Sequence, residues 1–337
     1  MERVRVGLIG AGGIASRHVS DLLTFDDVSI VAIADPALER AQEQATRCAA
    51  HVYADYRTML DEEALDALYI CVPPFAHGAL ELAAIERRLP FFVEKPLACD
   101  GPTAERIAAA VAEHDLVTAV GYHWRYLDTT EEAQALLSQQ PAMLALGYWL
   151  DSTPPPTWWR HQAQSGGQMV EQTTHIFDLA RVLMGEVERI YAAGARPVRP
   201  VYPDADVCAV STATLHFASG ALGTMASTCL LNWPHRIGLH LFGEGLAIEL
   251  SEFEIMIDVG RGRPVRRAEG DPFLREDRAF IDAVQGKPNR IRAGYAEALK
   301  THRLTIAANQ SVQEGRIMDI SDNSSPAPAQ AKSTIVT

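Results

Sequence analysis

The stretch "VRVGLIGAGGIASRH", residues 4–18, joins an apolar strand pattern to a helical one through a glycine-rich turn. Gly10, Gly12 and Ala15 stand in a G-x-G-x-x-A spacing, with Gly13 and Ile14 between them. Small residues at those positions let the chain turn tightly, let backbone N–H groups approach a pyrophosphate, and let the helix pack on the strand. The spacing alone is weak evidence, and the next strand strengthens it. "VSIVAIAD" (residues 28–35) ends in Asp35, where a carboxylate can accept hydrogen bonds from an adenosine ribose diol. The plainer alternative is that Asp35 caps the helix beginning at Pro36. Loop and carboxylate together point to a bound dinucleotide, and a carboxylate there repels a 2′-phosphate, which favours NAD over NADP.

Working outward, residues 3–121 alternate short apolar runs such as "ALYICV" and "FFVEK" with helical stretches such as "GPTAERIAAAVAEH". Strands apolar on both faces, alternating with helices, predict a parallel sheet wrapped on both sides: an N-terminal doubly wound α/β domain of Rossmann type. After about residue 126 the texture changes. One helix, then a glycine-bounded helix from about 172 to 184, then successive strands such as "VCAVSTATLHF" and "ALGTMASTCLL" predict an α+β domain on a largely antiparallel sheet. The expected division is 1–125 for cofactor binding, 126–318 for substrate binding and oligomerisation, and a disordered tail at 319–337. A chain of 337 residues is long for one hydrophobic core, in keeping with two domains.

Composition narrows the function classes. A formal net charge of -13 and no basic run argue against nucleic-acid binding, which rests on clustered Lys and Arg. No 18-residue apolar run and no signal-peptide pattern occur, so a cytoplasmic protein without membrane association is expected. Cys48, Cys71, Cys99, Cys208 and Cys229 are scattered singly, which suits reduced thiols better than disulfides or a zinc cage.

Two further motifs lie at the ends of expected parallel strands, where such sheets bind ligands: "CVPPFAHGALELA" (71–83) and "FFVEKPLACD" (91–100). A third, "SGGQMVEQTTH" (165–175), sets Glu171 and His175 four residues apart, which on one helix puts both on the same face. With a glycine loop, E-K-P at Glu94-Lys95-Pro96 and a glycine-rich stretch leading to an acid-x-x-x-His pair, the chain resembles the Gfo/Idh/MocA oxidoreductases over about residues 3–316. The resemblance implies that Lys95, Glu171 and His175 form the catalytic group. It also implies that Pro74, His77, Glu94 and Lys95 lie beside the cofactor, and that "GYHWRY" (121–126) contributes Tyr122, Trp124 and Arg125 on the substrate side. Arg125 agrees with the family's G-F-N-R-R-F segment, whereas His123 and Trp124 depart from it. The family usually carries Asp where this chain has Glu171, so three contacts stay open for that carboxylate: the imidazole, Lys95 or a substrate hydroxyl. A carboxylate on the imidazole is expected to raise the pKa of His175.

The chemistry asks for the same parts. Oxidising a secondary alcohol needs a base for the hydroxyl proton, a cation near the developing alkoxide and a hydride acceptor close to the carbon. His175 suits the first role, Lys95 the second and NAD the third. The loop "YWLDSTPPPTWWRHQAQSGGQ" (148–168) places Trp158, Trp159, Arg160 and His161 just before the third motif. Its tryptophans suit the apolar faces of sugars and its arginine suits hydroxyls or an anion; equally, both tryptophans can pack an interdomain seam or an oligomer contact. Tyr148 and Asp151 are candidates for the same cleft. A zinc site from Glu171, His175 and His161 or His123 would need three or four convergent ligands and a second shell, and the family that the chain resembles generally works without metal, so no metal is expected. The expectation is an NAD-dependent dehydrogenase or reductase acting on a sugar, cyclitol or related polyol, assembled as a homodimer or homotetramer as the resemblance implies. Two rivals remain: a family glycosidase that oxidises its sugar transiently, which net NADH production excludes, and a non-catalytic nucleotide-binding regulator, which intact Lys95 and His175 argue against.

Overall fold

The computed structural model describes residues 3–320. Six strands form the first sheet: β1 (Val4–Ile9), β2 (Val28–Ala34), β3 (His51–Tyr53), β4 (Ala67–Ile70), β5 (Phe91–Val93) and β6 (Thr118–Val120). Their order is β3-β2-β1-β4-β5-β6 and every pairing is parallel, so the crossover direction reverses between β1 and β4. The helices between them are α1 (Gly13–Leu22), α2 (Leu38–Cys48), α3 (Tyr56–Glu62), α4 (Ala79–Glu86) and α5 (Gly101–Glu113). Val6, Leu8, Ile33, Leu68, Tyr69, Ile70, Phe91, Phe92 and Val93 are all buried, as strands covered on both faces require.

After α6 (Asp128–Leu137), the second sheet collects β7 (Ala142–Ser152), β8 (Val187–Ala195), β9 (Val210–Phe217), β10 (Leu222–Leu231), β11 (Arg236–Gly243), β12 (Leu246–Leu250), β13 (Glu254–Asp258), β14 (Val265–Arg267) and β15 (Met318–Asp319). Its order is β14-β13-β12-β11-β7-β10-β9-β8-β15, antiparallel throughout except where β7 meets β10. One face packs on helix α9 (Thr174–Met184) through residues such as Ala145, Leu215, Met225 and Leu239, and alternate residues point the other way. Leu144, Leu146, Tyr191 and Leu222 lie exposed on those alternate positions.

Two short helices, α7 (Gln162–Ser165) and α8 (Gln168–Glu171), precede α9, and α10 (Pro272–Val284) and α11 (Tyr295–Glu314) follow the sheet. The last two tie the halves together. Phe280 and Ile281 of α10 pack into the core of the first sheet, where Phe280 meets Tyr69 and Phe92 edge-on. Tyr295, Ala298 and Leu299 at the start of α11 belong to the first-sheet core, while Leu304, Ala307 and Ala308 farther along belong to the second. The tail expected from residue 319 lies outside the described residues beyond Ile320; Asp319 itself pairs with Arg189.

The helix expected to carry Glu171 and His175 together is broken. Gly166 and Gly167 have φ of 74° and 81°, α8 ends at Glu171, and α9 starts only at Thr174. The break is held by Thr173, whose N–H reaches back to the Gln168 carbonyl and whose hydroxyl bonds to Ser227 of β10. Glu171 and His175 therefore sit on two separate helices, and the i, i+4 argument from a single helix does not hold.

Candidate active site

The glycine loop is built for close approach. Gly10 adopts φ of 96°, and a Cβ there would lie 2.2 Å from the main-chain oxygen of Cys71. A Cβ on Gly12 or Gly13 would meet nothing within 4 Å, because both border open cleft. No side chain caps the N-terminus of α1, so its first N–H groups face that space. The donor set and the room beside it fit a pyrophosphate. Asp35 closes this end. One carboxylate oxygen accepts the Ala11 N–H at 2.8 Å and the other the Ala37 N–H at 2.7 Å, so it caps the next turn and braces the loop. Each oxygen keeps a second lone pair for a ribose hydroxyl, so the two readings of Asp35 are compatible.

From there a cleft of about 1280 Å³ runs past Gly12, Gly13, Ile14 and Pro74 to Glu94, Lys95, Trp158, Glu171 and His175. Lys95 Nζ donates to the Glu171 main-chain oxygen at 2.8 Å and to Glu171 Oε1 at 3.0 Å. Glu171 Oε2 in turn accepts from the Trp159 indole N–H at 2.6 Å. Of the contacts left open for Glu171, the structure makes the one with Lys95, and the extra methylene lets the carboxylate span ammonium and indole. Glu94 accepts the Lys95 N–H at 3.1 Å and meets His18 Nε2 at 3.2 Å, while His18 Nδ1 bonds to Asp277 at 2.8 Å. Burial alone would lower the pKa of His18, but the carboxylates of Asp277 and Glu94 hold it well above the usual imidazole range. A buried imidazolium thus anchors the acid next to Lys95.

His175 is 5% exposed and lies among rings: Tyr122 and His123 edge-on, with centroids at 5.9 Å and 5.0 Å, and Trp149 stacked at 5.9 Å. Its Nδ1 is sealed without a partner among the described residues, so the cleft reaches it through Nε2. Burial, then the Lys95 charge, then His123 push its pKa well below the ordinary imidazole value. The expected rise from Glu171 is thereby corrected: the carboxylate is committed to Lys95 and Trp159, and the ring stays neutral at pH 7.

Several expected substrate contacts lie elsewhere. Tyr122 is buried with its hydroxyl on Thr174, and Trp124 belongs to the core of the second sheet. Arg125 makes a two-pronged buried pair with Asp178 at 2.7 Å and 2.6 Å, because a guanidinium between the cores must be neutralised where it lies. Trp159 is enclosed by Val207, Ala209 and Cys229 and reaches the site only through its N–H; Arg160 lies over the Tyr202 ring, 3.6 Å from Asp204. His77 is buried with Nδ1 on Glu81, behind the cleft wall that Pro74 forms. Tyr148 points to the opposite face of the sheet, onto His240. Asp151 lies outside the cleft lining, and only Trp158 of the tryptophan pair reaches it. In their place the cleft gains His123 and Phe273, whose rings stack at 4.0 Å. His123 had a signal as a departure from the family segment. Phe273, 150 residues later, had none.

A glycine turn beneath a helix N-terminus, opening on a cleft that ends at a lysine and a buried neutral imidazole, defines a nicotinamide-dinucleotide oxidoreductase. Residues 4–122 match the model of an oxidoreductase family with NAD-binding Rossmann fold, and residues 142–249 match the GFO/IDH/MocA C-terminal domain. The chain belongs to the GFO/IDH/MocA oxidoreductase family, and NAD is its cofactor. It is 25% identical over 336 residues to a myo-inositol 2-dehydrogenase of Thermotoga maritima, covering 95% of this chain and 99% of that one. It is 26% identical over 326 residues to the uncharacterized oxidoreductase YrbE of Bacillus subtilis, covering 94% and 92%. Its fold matches a levoglucosan dehydrogenase in complex with NADH at a TM-score of 0.83 and 20% identity, covering 95% of this chain and 100% of that one. No helix among the described residues is long and apolar enough to cross a membrane.

Proposed function

We propose that the protein is an NAD-dependent dehydrogenase or reductase interconverting a secondary hydroxyl and a ketone on a sugar, cyclitol or related polyol. The observation that carries this reading is that Lys95 and the neutral His175 close the same cleft whose far end is the glycine loop and Asp35. Gly12, Gly13 and Ile14 would hold the pyrophosphate, Asp35 the adenosine ribose, and Pro74 and Glu94 the walls beyond. Bound NAD supplies the hydride acceptor. His175 Nε2 takes the hydroxyl proton. Lys95, with two N–H groups given to Glu171, keeps a third for the substrate oxygen as negative charge develops on it. Glu171 and Trp159 aim that ammonium, and Trp158 offers a flat face to ring C–H groups.

The relatives named as inositol and levoglucosan dehydrogenases support the polyol class. On this reading residues 1–125 bind the cofactor, and 126–318 complete the substrate wall and associate as a homo-oligomer through the exposed apolar side chains of the second sheet. A cytoplasmic setting suits five free thiols. The test is net NADH formation from NAD⁺ with a panel of inositols, hexoses and anhydrohexoses, with light scattering for the oligomer. A substrate cleaved without net NADH would overturn the dehydrogenase reading in favour of a glycosidase.

A further inference from the structure

We propose that His123 and Glu252 form a proton relay that connects His175 to solvent through the wall of the cleft. The proposal rests on the dehydrogenase reading above, because oxidising an alcohol leaves one proton on His175 for each hydride removed. His175 is 5% exposed, has no hydrogen-bond partner among the described residues, and meets the outside only through the cleft that substrate and cofactor fill. Its proton needs another way out.

The neighbouring ring supplies one. His123 lines the same cleft, and its centroid is 5.0 Å from that of His175, close enough for one bridging water to join the two rings. Stacking on Phe273 at 4.0 Å fixes the ring plane. Its Nε2 lies 3.2 Å from Glu252 Oε1, in the turn between β12 and β13. Glu252 is the outlet: its side chain is 35% exposed, and it lines two grooves outside the cleft, of about 470 Å³ and 560 Å³. His123 thus faces the cleft and Glu252 faces water, with one hydrogen bond joining them across the wall. The charged and titratable groups around His123 are Lys95 and Glu171 across the cleft, His175 beside it, and Arg17 beyond Phe273, while Glu252 shares its grooves with Glu249, Glu254, Arg263, Arg267 and Asp271.

The transfer balances. In the tautomer that donates Nε2–H to Glu252, His123 has a free lone pair on Nδ1. The proton leaves Nε2 of the His175 imidazolium and binds His123 Nδ1. His123 gives its Nε2 proton to the Glu252 carboxylate, and Glu252 releases it to water. Each hop breaks one N–H or O–H bond and forms another, and the His123 ring resets by exchanging protons with solvent once product has left the cleft. Ketone reduction runs the same path inward.

The test separates proton release from NADH formation in a stopped-flow experiment, with a pH indicator in weak buffer and a polyol that the parent enzyme oxidises. In the parent the two signals should keep pace. In H123N and, independently, in E252Q, proton release should lag about tenfold or more, as expected when a positioned proton carrier is lost. Imidazole at tens of millimolar should remove the lag by standing in for the missing carrier. A purely structural role for the pair predicts slower NADH formation, no lag and no rescue. Synchronous signals in both variants, or a lag that imidazole leaves untouched, would overturn the relay. If the parent forms no NADH from any polyol of the panel, the dehydrogenase reading fails first and the relay with it.

Discussion

Replacing Lys95 by Met tests the core of the site most directly. The substitution keeps most of the stem and removes an ammonium whose donors go to the Glu171 main chain at 2.8 Å and its carboxylate at 3.0 Å. At 3.0 Å and an effective dielectric near 20, that ion pair has a gross attraction of about 5 kcal/mol, most of it offset by the desolvation of both partners. Glu171 would retain only the Trp159 N–H, so a stability loss of about 1–3 kcal/mol is expected. The larger effect falls on turnover. A preorganised charge aimed at a developing oxyanion is worth about 2.7–4 kcal/mol, so kcat should drop roughly a hundred- to a thousandfold while NAD affinity, read by fluorescence titration, changes little. The pH profile gives a second, signed readout. His175 is depressed first by burial, then by Lys95 and His123, and must be neutral to accept the proton. Without Lys95 its pKa rises, so the acidic limb of the oxidation rate should move to higher pH. Turnover within about threefold of the parent, where loss of an oxyanion contact predicts far more, would remove Lys95 from the mechanism. A limb that moves to lower pH would refute the electrostatic assignment of His175.

Four other outcomes are expected. Trp159→Phe keeps the buried ring but deletes the donor to Glu171, so kcat should fall about tenfold or more, the cost of a hydrogen bond to a charged group, with KM for NAD unaffected. Gly10→Ala pushes a Cβ against the Cys71 carbonyl at positive φ, so calorimetry should show a stability loss of roughly 1–3 kcal/mol alongside lost NAD binding. Asp35→Ser replaces the carboxylate that bridges the Ala11 and Ala37 N–H groups by a single hydroxyl, so NAD should bind about tenfold more weakly and NADP should gain relative to NAD; a parent enzyme that already prefers NADP would contradict this role. Burial pushes His302 down to about 4, below its unfolded value of 6.5, so the unfolded chain binds the extra proton and stability is lost as pH falls from 6.5 towards 4. That contribution is about 3 kcal/mol at 1.36 kcal/mol per unit, and H302Q, which can still donate to the Asp100 carbonyl, should abolish it in urea titrations.

The first half of the fold was readable because parallel strands covered on both faces must be apolar throughout, and the small residues at Gly10, Gly12 and Ala15 answer a steric demand local to one turn. Lys95 and His175 were readable because each sits in a short motif at a predictable place, a strand end and a glycine-bounded helix start. Glu171 was legible as a residue of the cleft but not in its contact. Whether its carboxylate turns to the imidazole or to Lys95 depends on the break at Thr173, which a hydroxyl on another strand holds.

The sequence by itself determined what depends on neighbours along the chain: strand and helix periods, the glycine turn, the charges available and the order of the motifs. It could not say which polar and aromatic side chains reach the cleft, because residues such as Arg125, Trp159 and Arg160 suit a substrate pocket and a buried partner equally well. Their partners, Asp178, Glu171 and Asp204, were decided only when the chain closed. The cleft wall formed by His123 and Phe273 is likewise a tertiary product. His123 follows β6, Glu252 sits in a β-turn, and Phe273 opens a helix anchored in the first-sheet core. Nothing local marks these three as neighbours. They meet because α10 carries Phe280 and Ile281 back beneath β1 and β4, and burying those side chains brings Phe273 against His123 beside His175.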